Sequence, residues 1–371
     1  MEWKENDYYW YWFVNIKGVG YKTRRLLLKE FGHPRCIYYG DRGKIAALLR
    51  GKQKEYFFAS QNKYKIKMSV RRLEETQTVF IHWESEQYPE KLRHLYDPPH
   101  GLYLRGRLPD ITAPILGMVG SRLGTEYGVY IAREFACALA REGVQIVSGL
   151  AAGIDAASHQ GALKGEGYTL GILGGGIDTI YPRENYSLYL KMYKKGGVLS
   201  EYNLGIPNRA GFFPARNRLI SGMADGIFVV EAGEKSGSLI TADQALDQGK
   251  EIFALPGRIT DPLSVGSNRL ICEGALPVQR PEDILQNLFS DEKRGRRTQT
   301  HWEREKDETG KMQEEHWIVY RMLDENTPVS FNEILEKTGY NYVKLQYILL
   351  EMELSQWIYQ PVQNSYLKKI L

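Results

Sequence analysis

Along the middle of the chain, short apolar runs alternate with longer segments whose apolar residues return every three or four positions. Pro114 to Val119, Val144 to Val147, Thr169 to Leu173, Val198-Leu199, Ile227 to Val230 and Ile252 to Leu255 are the short runs. Apolar and bounded by glycine or polar residues, they predict buried strands. Between them lie helical periods. After Gly124, Ala132, Phe135, Ala136 and Leu139 stand at i, i+3, i+4 and i+7, one buried face of a helix. Ile154 to Leu163, Leu239 to Ala245, Asn268 to Cys272 and Pro281 to Leu288 read as further helices. Strand and helix in strict alternation predict an α/β domain built on a parallel sheet.

The flanks differ. Residues 1–75 read as helical throughout, and Thr78 to Leu104 as an extended, proline-marked passage with strands at Val79-Phe80-Ile81 and Leu102-Tyr103-Leu104. Residues 291–311 are charged, of mixed sign and poor in apolar residues, the composition of a linker. A compact unit follows. Trp317 to Leu323 predicts one helix, and Ser330-Phe331-Asn332-Glu333 is a capping box opening a second, which ends at Gly339. Asn341 caps a third, with Leu345, Ile348, Leu349 and Met352 on one side, and Trp357 to Tyr359 with Tyr366-Leu367 predict a hairpin. Three helices and a hairpin are the winged-helix pattern. That third helix carries a single basic residue, Lys344, which favours a protein-binding module over a reader of DNA sequence. The expected division is a helical domain (1–75), an α/β domain (76–290), a linker (291–311) and a winged-helix domain (312–371).

Length and charge narrow the picture. With 371 residues, two or three domains are expected. No apolar run approaches the ~20 residues of a membrane span, and no signal pattern opens the chain. The three cysteines, Cys36, Cys137 and Cys272, are far apart, so neither a disulfide framework nor a zinc site is expected, and a reducing cytoplasm fits. The net charge is only +4, yet Lys17 to Arg72 holds 16 Lys/Arg against Glu30, Asp41 and Glu55. So basic a segment suggests a polyanion partner, unless acids elsewhere in the fold balance it. Within it, Lys17-Gly18-Val19-Gly20 opens a helix carrying Lys22 and Arg24. The turn resembles that of a helix-hairpin-helix module, whose amides face a nucleic-acid phosphate. These five positions, Lys17, Gly18, Gly20, Lys22 and Arg24, are candidate DNA contacts.

The central strands end in glycine. Val119-Gly120-Ser121-Arg122, Ser148-Gly149-Leu150-Ala151-Ala152-Gly153-Ile154-Asp155 and Gly174-Gly175-Gly176-Ile177-Asp178 leading to Tyr181-Pro182-Arg183-Glu184-Asn185 each stop an apolar run abruptly. Loops at the carboxyl ends of parallel strands form a ligand crevice, and glycine lets a phosphate approach the backbone. Neither Gly-x-Gly-x-x-Gly with a distal acid nor a loop ending in Gly-Lys-Ser/Thr is present, so no dinucleotide cofactor or P-loop chemistry is expected. In their place stand Arg122, Arg183, Arg216 and Arg218, with Tyr181 and Phe213 as stacking faces and Asn217 between the last two arginines. Several phosphate sites interleaved with aromatics suit a strand of nucleic acid. Asp155, His159, Glu201 and Glu231 offer carboxylates and an imidazole for hydrolysis of a nucleotide-derived molecule. No nucleophile–base pair or metal cluster accompanies them, and structural roles are favoured for all four.

These motifs resemble the DNA-processing protein A (DprA/Smf) family. The resemblance rests on the three glycine motifs above with His159 and Gly161-Ala162-Leu163, then on Ser200-Glu201, Phe213-Pro214-x-Arg216-Asn217-Arg218, Val230-Glu231-Ala232 and Ser236-Gly237-Ser238-Leu239-Ile240-Thr241-Ala242. It closes with Ala254-Leu255-Pro256-Gly257 and Gly266-x-Asn268-x-Leu270-Ile271. It implies an extended Rossmann-like central domain, with a helical (helix-hairpin-helix or SAM-like) N-terminus and a winged-helix C-terminus. It also implies a non-enzymatic protein that binds single-stranded DNA, protects incoming strands in natural transformation, dimerises and helps load the RecA recombinase. Carried over by motif, Gly120, Ser121, Arg122, Gly149, Gly174, Gly175, Gly176, Tyr181, Arg183, Phe213, Arg216, Asn217 and Arg218 would line the strand. An enzyme or sensor of a nucleotide-derived small molecule is the alternative reading of the same crevice.

Overall fold

In the strands of the central sheet, alternate side chains enter two different cores. Ile115, Val119, Ile227, Val229, Ile252 and Ala254 pack on one face; Leu116, Met118, Phe228, Val230, Phe253 and Leu255 pack on the other. Period-two alternation with both faces apolar requires helices on both sides. The computed structural model describes residues 3–288, 314–323, 328–355, 357–362 and 364–368. The charged run 291–311 lies outside the described residues.

The described strands of the larger unit are β1 (Val79–His82), β2 (Gly101–Gly106), β3 (Ile115–Val119), β4 (Gln145–Ser148), β5 (Thr169–Gly176), β6 (Gly197–Tyr202), β7 (Gly226–Val229), β8 (Glu251–Ala254) and β9 (Leu276–Pro277). They form one sheet in the order β1-β2-β6-β5-β4-β3-β7-β8-β9. From β6 to β9 every pairing is parallel, while β2 joins β6, and β1 joins β2, antiparallel. The chain moves outward from β3 through β4, β5 and β6, then returns to the other side of β3 for β7. The reversal between β3 and β7 is the topological switch point, where open α/β sheets hold their ligands. The antiparallel pair β1–β2 extends the parallel sheet, and the short β9 was not foreseen in the sequence.

Helix Glu126–Arg141 begins where Thr125 caps the Gly128 amide at 3.0 Å and buries the expected Ala132, Phe135, Ala136 and Leu139. It lies against helix Ile154–Lys164 so closely that a Cβ on Gly161 would collide with the Arg133 carbonyl oxygen. The opposite face of the sheet is covered by Phe212–Met223 and Gly237–Asp247.

Six helices occupy Glu5–Val14, Tyr21–Phe31, Pro34–Tyr39, Arg42–Leu48, Gln53–Ser60 and Lys63–Glu75. Their core is continuous with the sheet. Trp10, Phe13, Leu27 and Leu73 share one cluster with Phe80 of β1, Tyr103 of β2 and Leu173 of β5. The Trp10 ring stacks on His82 at 5.4 Å, and Trp10 Nε1 donates to Glu84 at 2.9 Å. The chain therefore compacts into Met1–Ser290 and Asp291–Leu371 rather than dividing at residue 75. A helical layer with so many aromatics buries its apolar area by sharing a core with the edge strands.

The second unit runs helix Glu314–Met322, strand Val329–Ser330, helices Phe331–Thr338 and Tyr342–Leu354, and strands Ile358–Val362 and Ser365–Lys368. This is the order of a winged helix. Ser330 Oγ accepts from the Glu333 amide at 3.2 Å and Asn341 Oδ1 from the Lys344 amide at 2.8 Å, as the capping signals required. Lys344, the lone cation on the third helix, is paired with Glu315 at 2.5 Å.

Gly161→Val is expected to destabilise the protein by about 1–3 kcal/mol through overpacking of the two helices. A thermal melt followed by circular dichroism measures it, and an unchanged midpoint would contradict the close approach.

Candidate nucleic-acid interface

The carboxyl ends of β3, β4 and β5 lie side by side, and the loops leaving them meet one helix, Phe212–Met223. That helix is pinned by Arg216. Its guanidinium packs where a Cβ on Gly149 would sit, and Nη1 donates to the Ile172 carbonyl of β5. The residue is 5 % exposed. Burial lowers its pKa to about 10, against the Asp155 carboxylate, which favours the charged form. Asp155 in turn accepts from the amides of Gly149 (3.1 Å) and Ala151 (3.4 Å), and burial raises its pKa despite Arg216 and those amides. Expected as a phosphate contact at the surface, Arg216 is instead mostly enclosed, because only glycine at 149 leaves room for it.

One turn earlier, Phe213 faces outward to meet Arg122. The Arg122 guanidinium lies 4.6 Å from the centre of the Phe213 ring, and the exposed Tyr181 ring stands 6.2 Å from the other partner, Phe213. Arg122 is exposed. The loop carrying it is held by Ser121, whose amide donates to the Glu231 carbonyl at 2.8 Å and whose carbonyl accepts from Ile154 at 3.2 Å. Two cavities share the Arg122–Phe213 pair as a common wall. One of about 530 Å³ reaches Gly120, Ser121, Asn217 and the start of helix Gly237–Asp247. The other, about 60 Å³, is lined by Gly149, Gly174, Thr179 and Tyr181 among others.

The remaining predicted residues divide. Gly174 lines the smaller cavity, with the Phe213 ring where its Cβ would fall. Gly175 and Gly176 do not form an open loop: they are the last residues of β5, buried beneath Asn208 and the Asn203 carbonyl, and the Gly176 amide donates to Ile206 at 2.7 Å. Their lack of a Cβ admits a covering segment of chain, not a phosphate. Arg183 is exposed in the short turn Arg183–Asn185 but lines neither cavity. Arg218, expected to grip phosphate, is already committed: Nε lies 3.2 Å from Asp97 and Nη2 2.5 Å from Glu201. Two residues along a helix lie about 200° apart, so Arg216 and Arg218 cannot share one face. Arg24 also turns inward, donating to the Val14 carbonyl. Lys17 Nζ sits 4.8 Å over the Tyr56 ring, Lys22 is exposed, Gly18 has φ +74° and Gly20 starts the helix. This N-terminal turn lines neither cavity.

The four catalytic candidates have structural employment. His159 is fully buried, with Nδ1 2.6 Å from Thr169 Oγ1. Glu231 accepts from the Thr125 amide (2.8 Å) and hydroxyl (2.5 Å) at the head of helix Glu126–Arg141. Glu201 is paired to Arg218, and Asp155 holds the Gly149 turn. Sequence reasoning missed Ser236, Gly237, Ser238 and Thr241 as cavity residues. The available signal was position: they follow β7, the strand across the switch point from β3.

An open, largely parallel sheet carrying glycine turns, an arginine–aromatic stack and a helix start at its carboxyl edge defines a protein of Rossmann-like fold with a crevice at its switch point. Comparison with known proteins makes this specific. Residues 79–289 match the family described as DNA recombination-mediator protein A. Protein Smf of Escherichia coli is 38% identical over 310 residues, covering 81% of this chain and 80% of that protein. DNA processing protein DprA of Bacillus subtilis is 44% identical over 205 residues, covering 55% and 69% respectively. Among solved structures, DNA processing protein A of Streptococcus pneumoniae superposes with TM-score 0.68 at 30% identity, covering 78% of this chain and all (100%) of that one. The Helicobacter pylori protein, solved for its single-stranded DNA binding mode, gives 0.52 at 30% identity, covering 57% and 95%. The chain belongs to the DprA/Smf family.

Burial lowers the His159 pKa from 6.5 to about 3, with Arg216 adding to the effect. The folded state keeps this imidazole neutral while the unfolded chain protonates it near 6.5, so stability is lost as pH falls from about 6.5 towards 3. Replacing His159 by Gln is expected to flatten this part of the stability–pH curve, measured by denaturant unfolding at several pH values.

Proposed function

We propose that this protein binds single-stranded DNA across the carboxyl ends of β3, β4 and β5. The observation that carries the reading is the Arg122 guanidinium stacked on Phe213, exposed, with Tyr181 beside it and Gly120, Ser121, Gly149 and Gly174 lining the adjoining cavities. A guanidinium offers forked donors to phosphate oxygens, and its aromatic neighbours offer faces to unstacked bases. Arg183 and Asn217 extend the interface at either side. A duplex would keep its bases stacked and withhold those faces, so single strands are the preferred substrate.

Family membership and the DNA-binding relative from Helicobacter pylori support the wider role. In that role the protein protects single strands entering during natural transformation, acts as a homodimer, and passes them to the RecA recombinase in the cytoplasm. No helix of the described residues is long and apolar enough to cross a membrane. The exposed Lys17 and Lys22 at the N-terminal turn would add a secondary phosphate contact. Binding rather than hydrolysis is the chemistry favoured, because Glu201 and Glu231 are occupied by Arg218 and by Thr125.

Titration with single-stranded and duplex oligonucleotides at two salt concentrations tests the reading. Single strands are expected to bind more tightly, and less so at the higher salt. Arg122→Ala should weaken single-strand binding at least tenfold, about 1.4 kcal/mol, with an unchanged melting temperature. Wild-type affinity in the folded variant would overturn the assignment of this loop.

A further inference from the structure

In the second unit, helix Tyr342–Leu354 is apolar on two opposite faces. Leu345, Ile348, Leu349 and Met352 are buried in the unit's own core. Val343, Tyr347, Leu350 and Leu354 stand on the other side, each between 53 % and 75 % exposed. A helix apolar all round is ordinarily covered all round, and a contiguous exposed apolar stripe marks a surface that associates. Duplex DNA does not fit it. The helix's one cation, Lys344, is paired with Glu315, and the stripe itself carries no charge to meet a phosphate.

The spacing names the occupant. Val343, Tyr347, Leu350 and Leu354 are separated by four, three and four positions, the alternation of a coiled-coil seam. That series reads the same from either end. Two copies laid antiparallel therefore match layer for layer, Val343 on Leu354 and Tyr347 on Leu350, with each layer occurring twice. Such self-complementarity is what a two-fold interface requires.

The positions beside the seam add charge. Lys344 and Glu351 stand on one flank, Gln346 and Glu353 on the other. Antiparallel pairing sets Lys344 of one copy against Glu351 of the other at both ends and also opposes the helix dipoles. Parallel pairing would leave both acids without a cation across the seam. Glu315 and His316 are local partners of Lys344 and Glu351, yet both flanking groups are only half-buried and accessible to a second copy. The charged run 291–311 is too poor in apolar residues to cover the stripe instead.

We propose that this stripe is a self-association surface, on which the winged-helix units of two copies pair through antiparallel Tyr342–Leu354 helices. The helix has 13 residues, about 20 Å of length, so the contact is small and forms with rising concentration. It uses no residue of the crevice at β3, β4 and β5 and does not rest on the strand-binding reading.

Sedimentation of the full chain over a range of concentrations tests it. The mass is expected to rise with concentration, and Leu350→Glu to weaken that association at least tenfold. The variant should fold, because the position is exposed and glutamate is a good helix former; an unchanged thermal melt checks this. Where the chain also pairs through another surface, the variant stops one association step earlier. Lys344→Glu should weaken association too, and adding Glu351→Lys should restore it. The double change does not rebuild the local pair with Glu315, so recovery reports the contact between copies. A wild-type mass that never rises, equal association in folded Leu350→Glu, or no recovery in the double variant overturns the proposal. Oligo-dT affinity measured below the association range should be the same in Leu350→Glu and wild type, so the strand-binding reading stands or falls separately.

Discussion

The site depends on one buried cation. Arg216 occupies the space left by the missing Cβ of Gly149, reaches the Ile172 carbonyl and lies beside the Asp155 carboxylate. A guanidinium taken out of water is tolerated only with such partners. Together they fasten helix Phe212–Met223 to the ends of β4 and β5, and that in turn places Phe213 against Arg122 and Gly174. Loss of the Gly149 space would displace the helix, and the exposed stack would go with it. The stability of the framework and the geometry of the proposed DNA grip are thus set by the same contact.

A second polar cluster performs a related task at the other end of that helix turn. Arg218 joins Asp97, in the passage before β2, to Glu201 of β6. Arg24, from the N-terminal layer, donates to the Val14 carbonyl, and burial lowers its pKa against the Glu201 carboxylate, which favours the charged form. The central arginines that looked in sequence like one track therefore separate by face, Arg122 and Arg183 outward, Arg216 enclosed and Arg218 inward, and Arg24, expected as a separate N-terminal contact, also turns inward. The N-terminal layer belongs to this architecture through its aromatics as well, since Asn203 donates to the Tyr11 hydroxyl at 2.6 Å just before the segment that covers Gly175 and Gly176.

The parallel strands were legible because both-face burial writes a continuous apolar run, and the helices because a cap and a 3.6-residue period mark them. Ser330 and Asn341 cap where the pattern put them, while the Thr125 cap of the helix after Gly124 was seen only in the structure. The glycines were legible as places where something approaches the backbone, but not what approaches. At Gly149 it is an arginine, at Gly174 a phenylalanine ring, at Gly175 and Gly176 the chain itself.

By itself the sequence determined the alternation of strands and helices, the class of sheet, the capped helices of the second unit and the placing of Arg122 just after a strand end. These follow from neighbours in the chain, where period and capping act. Only the tertiary structure decided which arginines are free, that the helical layer shares a core with β1 and β2, and that the Ser236–Ser238 turn closes a cavity across from Gly120. Each of those turns on partners far apart in sequence, Arg218 with Asp97 or Gly149 with Arg216, whose meeting is fixed by the order of the strands.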